Sequence, residues 1–260
     1  MEPTTAQRRV RMVVAYDGSG FHGFAANPGV TTVMGELTAA VERVVRHHVA
    51  LVGAGRTDAG VHAWGQVVSG DLDASVDLEA LARRVNRQCG PQISVRSIDW
   101  APDDFHARFS ATARTYRYRI WNDPAPNPLL ANQAWHIAEP LASHAMVAAA
   151  DPLIGEHDFS SFCRRPDAEA SLVRRLLSIR WVDESPLLWC ELRATAFCHQ
   201  MVRSLVGVMV EVGRSRATPA DVGEILRARD RSRAPAIAPP EGLILWEVSY
   251  EGQRWDAASR

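Results

Sequence analysis

An α+β protein made of two tandem ferredoxin-like (RRM-like) halves is what the sequence predicts. Three observations lead there. A Val-rich alternating run opens the chain, two amphipathic helical stripes follow with strands around them, and a second alternating run restarts the pattern after residue 107. Residues 9–16 (RVRMVVAY) alternate as a strand. Residues 33–48 place Val33, Leu37, Val41, Val44 and Val45 on one helical stripe. VALV (49–52) is a short apolar strand, and GQVVSG (65–70) is the strand that returns from the loop after it. Residues 77–87 (DLEALARRVNR) start acidic, carry a Leu/Val stripe and end basic, as the helix dipole favours. ISVRSIDW (93–100) closes this first round of strand, helix, strand, strand, helix, strand.

The second round is read from element order rather than from self-similarity. ARTYRYRIW (113–121) alternates as a strand, and residues 140–150 suggest a helix. VRRLLSIRWV (173–182) and LLWCELRATAF (187–197) form a hairpin around Glu184, Ser185 and Pro186. Residues 199–212 and 219–228 read as helices, and LILWEVSY (243–250) as a closing strand. The boundary falls near residues 101–107, so the expected halves are 1–104 and 105–260, with a cleft between them.

Bulk properties narrow the function. The chain has 260 residues, of which 47% are hydrophobic and 23% charged, as in an ordinary globular protein. No apolar run approaches the roughly 18 residues of a membrane span. The start, MEPTTAQRRVRM, lacks the apolar core of a signal peptide, so a cytoplasmic protein is expected. Cys89, Cys163, Cys190 and Cys198 are scattered without a CxxC pair, which suits reduced thiols and gives no zinc pattern. His47 and His48 lack metal-ligand spacing as well, and no metal or cofactor is expected. Net charge is −1, yet all 29 basic residues are Arg. Any polyanion site must therefore be local and built from guanidinium groups, whose planar forks grip phosphate and stack on bases.

The stretch with the most chemistry is GAGRTDAGVHAWGQ, residues 53–66. Its glycines allow a sharp turn and close approach of a ligand. Asp58, at the end of a buried strand, is a candidate nucleophile or general base. Arg56, two residues back, either keeps that carboxylate ionised or grips a phosphate. On spacing alone a plain hairpin is the favoured reading, since Asp58, Ala59 and Gly60 make a good turn.

Read with the rest of the chain, GRTDAGVHA resembles the signature of the tRNA pseudouridine synthase A family. FHARFSATARTYRY (105–118), GEHDFSSF (155–162), VRRL (173–176), FCHQMVRSLVG (197–207) and EGLILWEVSY (241–250) resemble further blocks of that family in the same order. The resemblance implies a duplicated ferredoxin-like fold with a central antiparallel sheet flanked by helices. It implies conversion of uridine to pseudouridine in the tRNA anticodon arm, at positions 38 to 40, without cofactor or metal, by a homodimer. Asp58 matches the family's catalytic Asp, which either attacks C1′ or removes the ribose 2′ proton. Arg203 matches the Arg that pairs with it. Tyr116 matches the active-site Tyr, a platform for an extracted uracil. Leu243 matches an apolar wall for the base, and Arg56 and His62 flank the loop to place RNA or hold the loop. Candidate phosphate contacts are Arg114, Arg117, Arg119 and the pairs Arg83-Arg84, Arg164-Arg165 and Arg174-Arg175; 227–240 (RARDRSRAPAIAPP) reads as a solvated loop or a further phosphate contact.

One segment departs from the family pattern. Where the family has Gly-Trp-Gln-x-Gln, this chain has Gly23, Phe24, Ala25, Ala26 and Asn27. Phe24 keeps the aromatic and is a candidate RNA contact, but both Gln are gone. A divergent paralogue acting on another RNA uridine is therefore one alternative. A non-catalytic RNA-binding or chaperone protein is a second. A carboxylate hydrolase is a third, and it needs a second carboxylate for which Asp17 and Asp158 are the loose candidates.

Overall fold

The computed structural model describes residues 6–165, 169–234 and 237–251. Among these residues it contains ten strands and five α-helices; the pairings of β1 with β3 and β4, β2 with β3, β9 with β5 and β8, and β7 with β8 are antiparallel, and β6 runs parallel to β5. The mixed, mostly antiparallel architecture expected from the sequence is thus present. The chain divides into two compact units, residues 1–112 with 245–260, and residues 113–244.

The first unit follows the order read from the sequence. It comprises β1 (Gln7–Tyr16), α1 (Val33–Val45), β2 (Val52–Gly53), β3 (His62–Asp73), α2 (Leu78–Cys89) and β4 (Ile93–Trp100). Residues 245–250 of the last strand, β10 (Leu243–Tyr250), join it. The sheet order is β4-β1-β3-β10, with β2 also on β3. β1 faces β3 with Val10 opposite Gly70 and Val13 opposite Val67. Its pairings with both neighbours shift register near its end, between Val13 and Tyr16. Such irregularities raise local twist and re-aim side chains, here just before the chain leaves the sheet.

The helices carry their own punctuation. Thr32 caps α1 by accepting from the Gly35 amide at 3.2 Å. Val33, Leu37, Ala40 and Val41 bury one stripe of it. α1 stops at Val45, short of the expected residue 48, because Arg46 takes a left-handed conformation (φ 63°). Asp77 caps α2 through the Ala80 amide at 3.0 Å. Asn86 of α2 clasps Val95 of β4, donating to its carbonyl and accepting from its amide. β2 is shorter than the expected 49–52. The amide of Val49 donates to the Glu42 carboxylate at 3.0 Å instead of to a strand.

The second unit holds β5 (Ala111–Asn122, from residue 113), β6 (Trp135–Ile137), α3 (Ser143–Ala150), β7 (Gly155–Asp158), β8 (Val173–Glu184), β9 (Leu187–Ala194), α4 (Met201–Gly213) and α5 (Pro219–Ala228). Strand order is β5-β9-β8-β7, with β6 parallel to β5. β8 and β9 form the expected hairpin. The short strands β6 and β7 were not expected. α4 is the core helix: from Met201 to Gly213 only Arg203 and Glu211 escape full burial. α5 starts at a capping box in which Thr218 and Asp221 satisfy each other's amides, with Pro219 in the first turn. Among the described residues no helix is long and apolar enough to cross a membrane.

Candidate active site

In the first unit, β2 ends at Gly53 and β3 begins at His62, so residues 54–61 leave the sheet and return to it. Such a loop has no ladder to satisfy its polar backbone, and buried side chains supply the missing partners. Gln66, wholly buried, donates to the Gly55 carbonyl at 2.8 Å and accepts from the Val67 amide at 3.2 Å. The Tyr16 hydroxyl meets Thr57 Oγ1 at 2.8 Å in a buried bond. The Val61 amide donates to the Asp58 carbonyl at 3.2 Å, closing the turn through Gly60 at φ 79°. Asp58, part-exposed, therefore sits on a turn braced immediately before it at Thr57 and after it at Val61.

The segment after β1 supports the same loop. The Phe24 amide donates to the Thr57 carbonyl at 3.1 Å. Gly23 has φ 96°, and a Cβ there would sit 3.0 Å from the Thr57 carbonyl oxygen, so strain and crowding both require glycine. The Phe24 ring is 3% exposed and stacks on Tyr16 with centroids 5.9 Å apart. It also fills the space that a side chain at Gly53 would need. Ala26 and Asn27, by contrast, are exposed.

His62 is buried, and its Nδ1 lies 3.1 Å from both the Gly18 amide and an Asp17 carboxylate oxygen. A bare Nδ1 accepts from Gly18; a protonated one donates to Asp17. Burial works against the Asp17 charge. The two bonds from Ser19, with the nearby His62 ring, outweigh it and hold the carboxyl below the ordinary carboxylate range. Asp17 is thus engaged in its own turn. Arg56 is exposed.

The second unit carries the other matched residues. Tyr116 lies on β5 opposite Leu192 of β9, is 8% exposed, and meets the Phe197 ring edge-on at 5.1 Å. Arg203 stands in the first turn of α4. Its Nε donates to the Ala238 carbonyl at 2.7 Å, and the Ala238 amide donates back to the Arg203 carbonyl at 3.1 Å. That reciprocal pair fastens residue 238 to the helix. One residue on, the Pro239 carbonyl accepts from the buried Tyr118 hydroxyl at 2.7 Å. Burial, with Glu241 nearby, pushes the Tyr118 phenol far up, so it keeps its proton as a donor. A Cβ at Gly242 would lie 2.7 Å from the Arg119 carbonyl and the Tyr118 ring, so glycine alone lets β10 start there with Leu243 buried.

The arginines differ in their freedom. Arg114 is half-buried and donates to the Thr195 carbonyl at 3.0 Å. Arg117 is tied to Glu191 at 2.9 Å and lies over Trp189. Arg119 is half-buried, and burial pulls its pKa down. Arg83 pairs along its helix with Glu79, and Arg84, Arg164 and Arg175 are exposed. Arg165 donates to the Ala170 carbonyl at 3.1 Å, and Arg174 to the carbonyls of Ser171 and Val173. In 227–240 the described residues form the end of α5 and a short turn at Arg231–Arg233 capped by Asp230; residues 235 and 236 lie outside the described set. Asp158 is bonded to Ser160 and lies 3.7 Å from Arg229. No group of three or more potential metal ligands occurs among the described residues. The motif reading singled out Asp58 but missed Tyr16 and Gln66, which brace its loop. Their only sequence signal is that each flanks a glycine-rich turn with a polar group in an otherwise apolar strand.

Comparison with known proteins adds the family. The profile described as "tRNA pseudouridine synthase" matches residues 12–110 and 149–251. "tRNA pseudouridine synthase A" of Brevibacillus brevis is 40% identical over 243 residues, covering 94% of this chain and 100% of that one. The proteins of the same name from Geobacillus kaustophilus and Syntrophotalea carbinolica are each 38% identical, covering 95% and 94% of this chain and 96% and 97% of theirs.

Proposed function

The chain belongs to the tRNA pseudouridine synthase family, an isomerase family acting on RNA, and from that premise we propose that it converts uridine to pseudouridine in the anticodon stem-loop of tRNA, at positions 38 to 40, with Asp58 as the reacting carboxylate. The observation that carries the reading is the build of the Asp58 loop, a part-exposed carboxylate on a turn whose neighbours are fixed by Tyr16, Gln66 and Gly23. A carboxylate so held meets its target without a reorganisation cost at the moment of reaction.

The reaction conserves atoms. The N1–C1′ bond breaks, the uracil turns, C5 bonds to C1′, and the C5 proton is lost while N1 gains one. Cleavage builds positive charge at C1′, which a carboxylate stabilises or captures. Asp58 does this directly, or it starts the cleavage by removing the 2′ proton. In this reading Arg203 is the partner of Asp58, Tyr116 stacks on the extracted base and helps move the C5 proton, and Leu243 forms the apolar wall. Arg56 and Arg114 take phosphates. His62 and Phe24, both buried, act through the loop as positioning residues. No cofactor enters. The reading also includes two ferredoxin-like halves, 1–104 and 105–260, a homodimer bridged by tRNA, and a cytoplasmic location. Support for the first half's fold is its β-α-β-β-α-β order.

The test is tritium release from tRNA transcripts carrying [5-³H]uridine, with wild type beside Asp58→Asn. Release by wild type alone supports the reading. Binding of the RNA by both without release by either overturns it. A second reading, a different target uridine, is favoured by the exposed Ala26 and Asn27 where the family has a Gln-rich segment; mapping the modified position decides between the two.

A further inference from the structure

Cys163 follows a short helical turn at Ser160–Phe162, and Cys198 lies in the connection between β9 and α4. The Arg164 amide donates to the His199 carbonyl at 3.1 Å, so the residues after the two cysteines are direct neighbours. The two thiols are free and lie side by side, each acting on the other's proton affinity. Cys163 is 2% exposed, whereas Cys198 reaches the surface in part. Arg174 exerts a positive field on both sulfurs, and its own Nε is buried without a hydrogen-bond partner. Arg231 acts on Cys163, and Asp158 opposes at Cys198. The neighbouring Cys198, aided by burial, holds the proton on Cys163; Cys163 in return, reinforced by Arg174, holds the Cys198 thiol below its usual range. The other two cysteines lack this setting, since burial pushes both Cys89 and Cys190 up.

We propose that Cys163 and Cys198 form a hydroperoxide-reactive dithiol, with Cys198 attacking and Cys163 resolving, whose disulfide resets the start of α4. A part-exposed thiol beside a second thiol in an electropositive pocket is the arrangement that peroxide oxidation selects. The Cys198 sulfur attacks one peroxide oxygen, the O–O bond breaks, and water or an alcohol leaves with the sulfenic acid formed. Cys163 then loses its proton and attacks the Cys198 sulfur, releasing a second water. In balance, two thiols and one hydroperoxide give one disulfide, one alcohol (water from hydrogen peroxide) and one water. A disulfide draws the two sulfurs together to about 2.05 Å. That pull lands on the helix, because the Cys198 carbonyl accepts from the Met201 amide at 3.1 Å, two residues before Arg203. It also lands on Phe197, whose ring supports Tyr116.

The experiment treats the full chain with hydrogen peroxide, then maps disulfides by mass spectrometry without reduction. Amide exchange across 197–205 and tritium release are read before and after, and again after dithiothreitol. The expected result is a Cys163–Cys198 crosslink, an exchange rate in the first turn of α4 changed about threefold or more, and tritium release lowered about fivefold or more, all reversed by the reductant. Cys163→Ser, expected to be active when reduced, should keep its rate under peroxide. Absence of the crosslink, or a crosslink that leaves exchange across 197–205 unchanged, overturns the proposal. The activity arm rests on the reading of the previous subsection. An inactive reduced protein would fail that reading alone, while the crosslink and exchange arms would still decide this one.

Discussion

The loop that carries Asp58 and the turn that leads into α4 solve one problem in two ways. Each must hold a charged residue at the end of a structured element. The Asp58 loop does so with buried polar side chains: Tyr16 on Thr57, Gln66 on Gly55, and the Phe24 amide on the Thr57 carbonyl. The entry to α4 does so with a helix whose first turn is buried apart from Arg203, anchored by a reciprocal pair of bonds to Ala238. The difference follows from backbone accounting. A loop leaves carbonyls and amides along its whole length that need outside partners, whereas a helix leaves them only at its ends, and here the Cys198 carbonyl takes the Met201 amide at 3.1 Å. Damage to the first site should therefore travel through hydrogen bonds and packing around the turn. Damage to the second should travel through the placement of one guanidinium.

The sharpest way to test that contrast is to change the chemistry and leave both supports intact. Asp58→Asn keeps the size of the side chain and the Val61 bond to its backbone, so kcat for tritium release should fall about 10³-fold or more while thermal unfolding stays within about 2 °C. A large drop in melting temperature would instead make Asp58 a structural residue. Next in size is Phe24→Ala. Removing a buried ring that stacks on Tyr16 and fills the space over Gly53 should cost about 3–5 kcal/mol in a urea titration, with kcat and stability falling together. If stability is unchanged, Phe24 is not the packing support of the loop.

Arg203→Lys attacks the other site. Lys keeps the charge but lacks the planar fork that donates to Ala238 while presenting its other nitrogens elsewhere, so kcat should fall about 10- to 100-fold with a stability change near 1 kcal/mol. Full activity in this variant would show that charge alone suffices there. The smallest effect belongs to Tyr16→Phe. It keeps the stack on Phe24 and deletes the bond to Thr57, for about 1 kcal/mol of stability and a modest fall in kcat with KM unchanged. A larger change in KM than in kcat would mean that the bond positions RNA rather than the loop.

Regular elements were readable from pattern where the pattern was long. The stripe through Val33, Leu37 and Val41, the acidic start of α2 at Asp77, and the pattern over 219–228 all mark helices that form where the sequence put them. The short strands β6 and β7, three and four residues long, were not readable, because so few residues carry no period. The early end of α1 and the shortening of β2 were hidden for another reason. Arg46 adopts a left-handed conformation and the Glu42 side chain takes the Val49 amide, and neither choice follows from hydrophobic spacing.

The same division holds at the chemistry. The candidates Asp58, Tyr116 and Arg203 were visible as residue types within motifs, since short-range spacing writes them into the chain. The supports were not. Tyr16 reaches Thr57 across 41 residues and Gln66 reaches Gly55 across 11. Cys163 and Cys198 meet with no CxxC spacing to announce them. By itself the sequence determined the class of fold, the family and the candidate residue types, because periodicity and motif are local properties. Tertiary structure alone decided which buried hydroxyl, amide and thiol stand beside those residues, because hydrogen bonds act over about 3 Å and only folding brings distant residues that close.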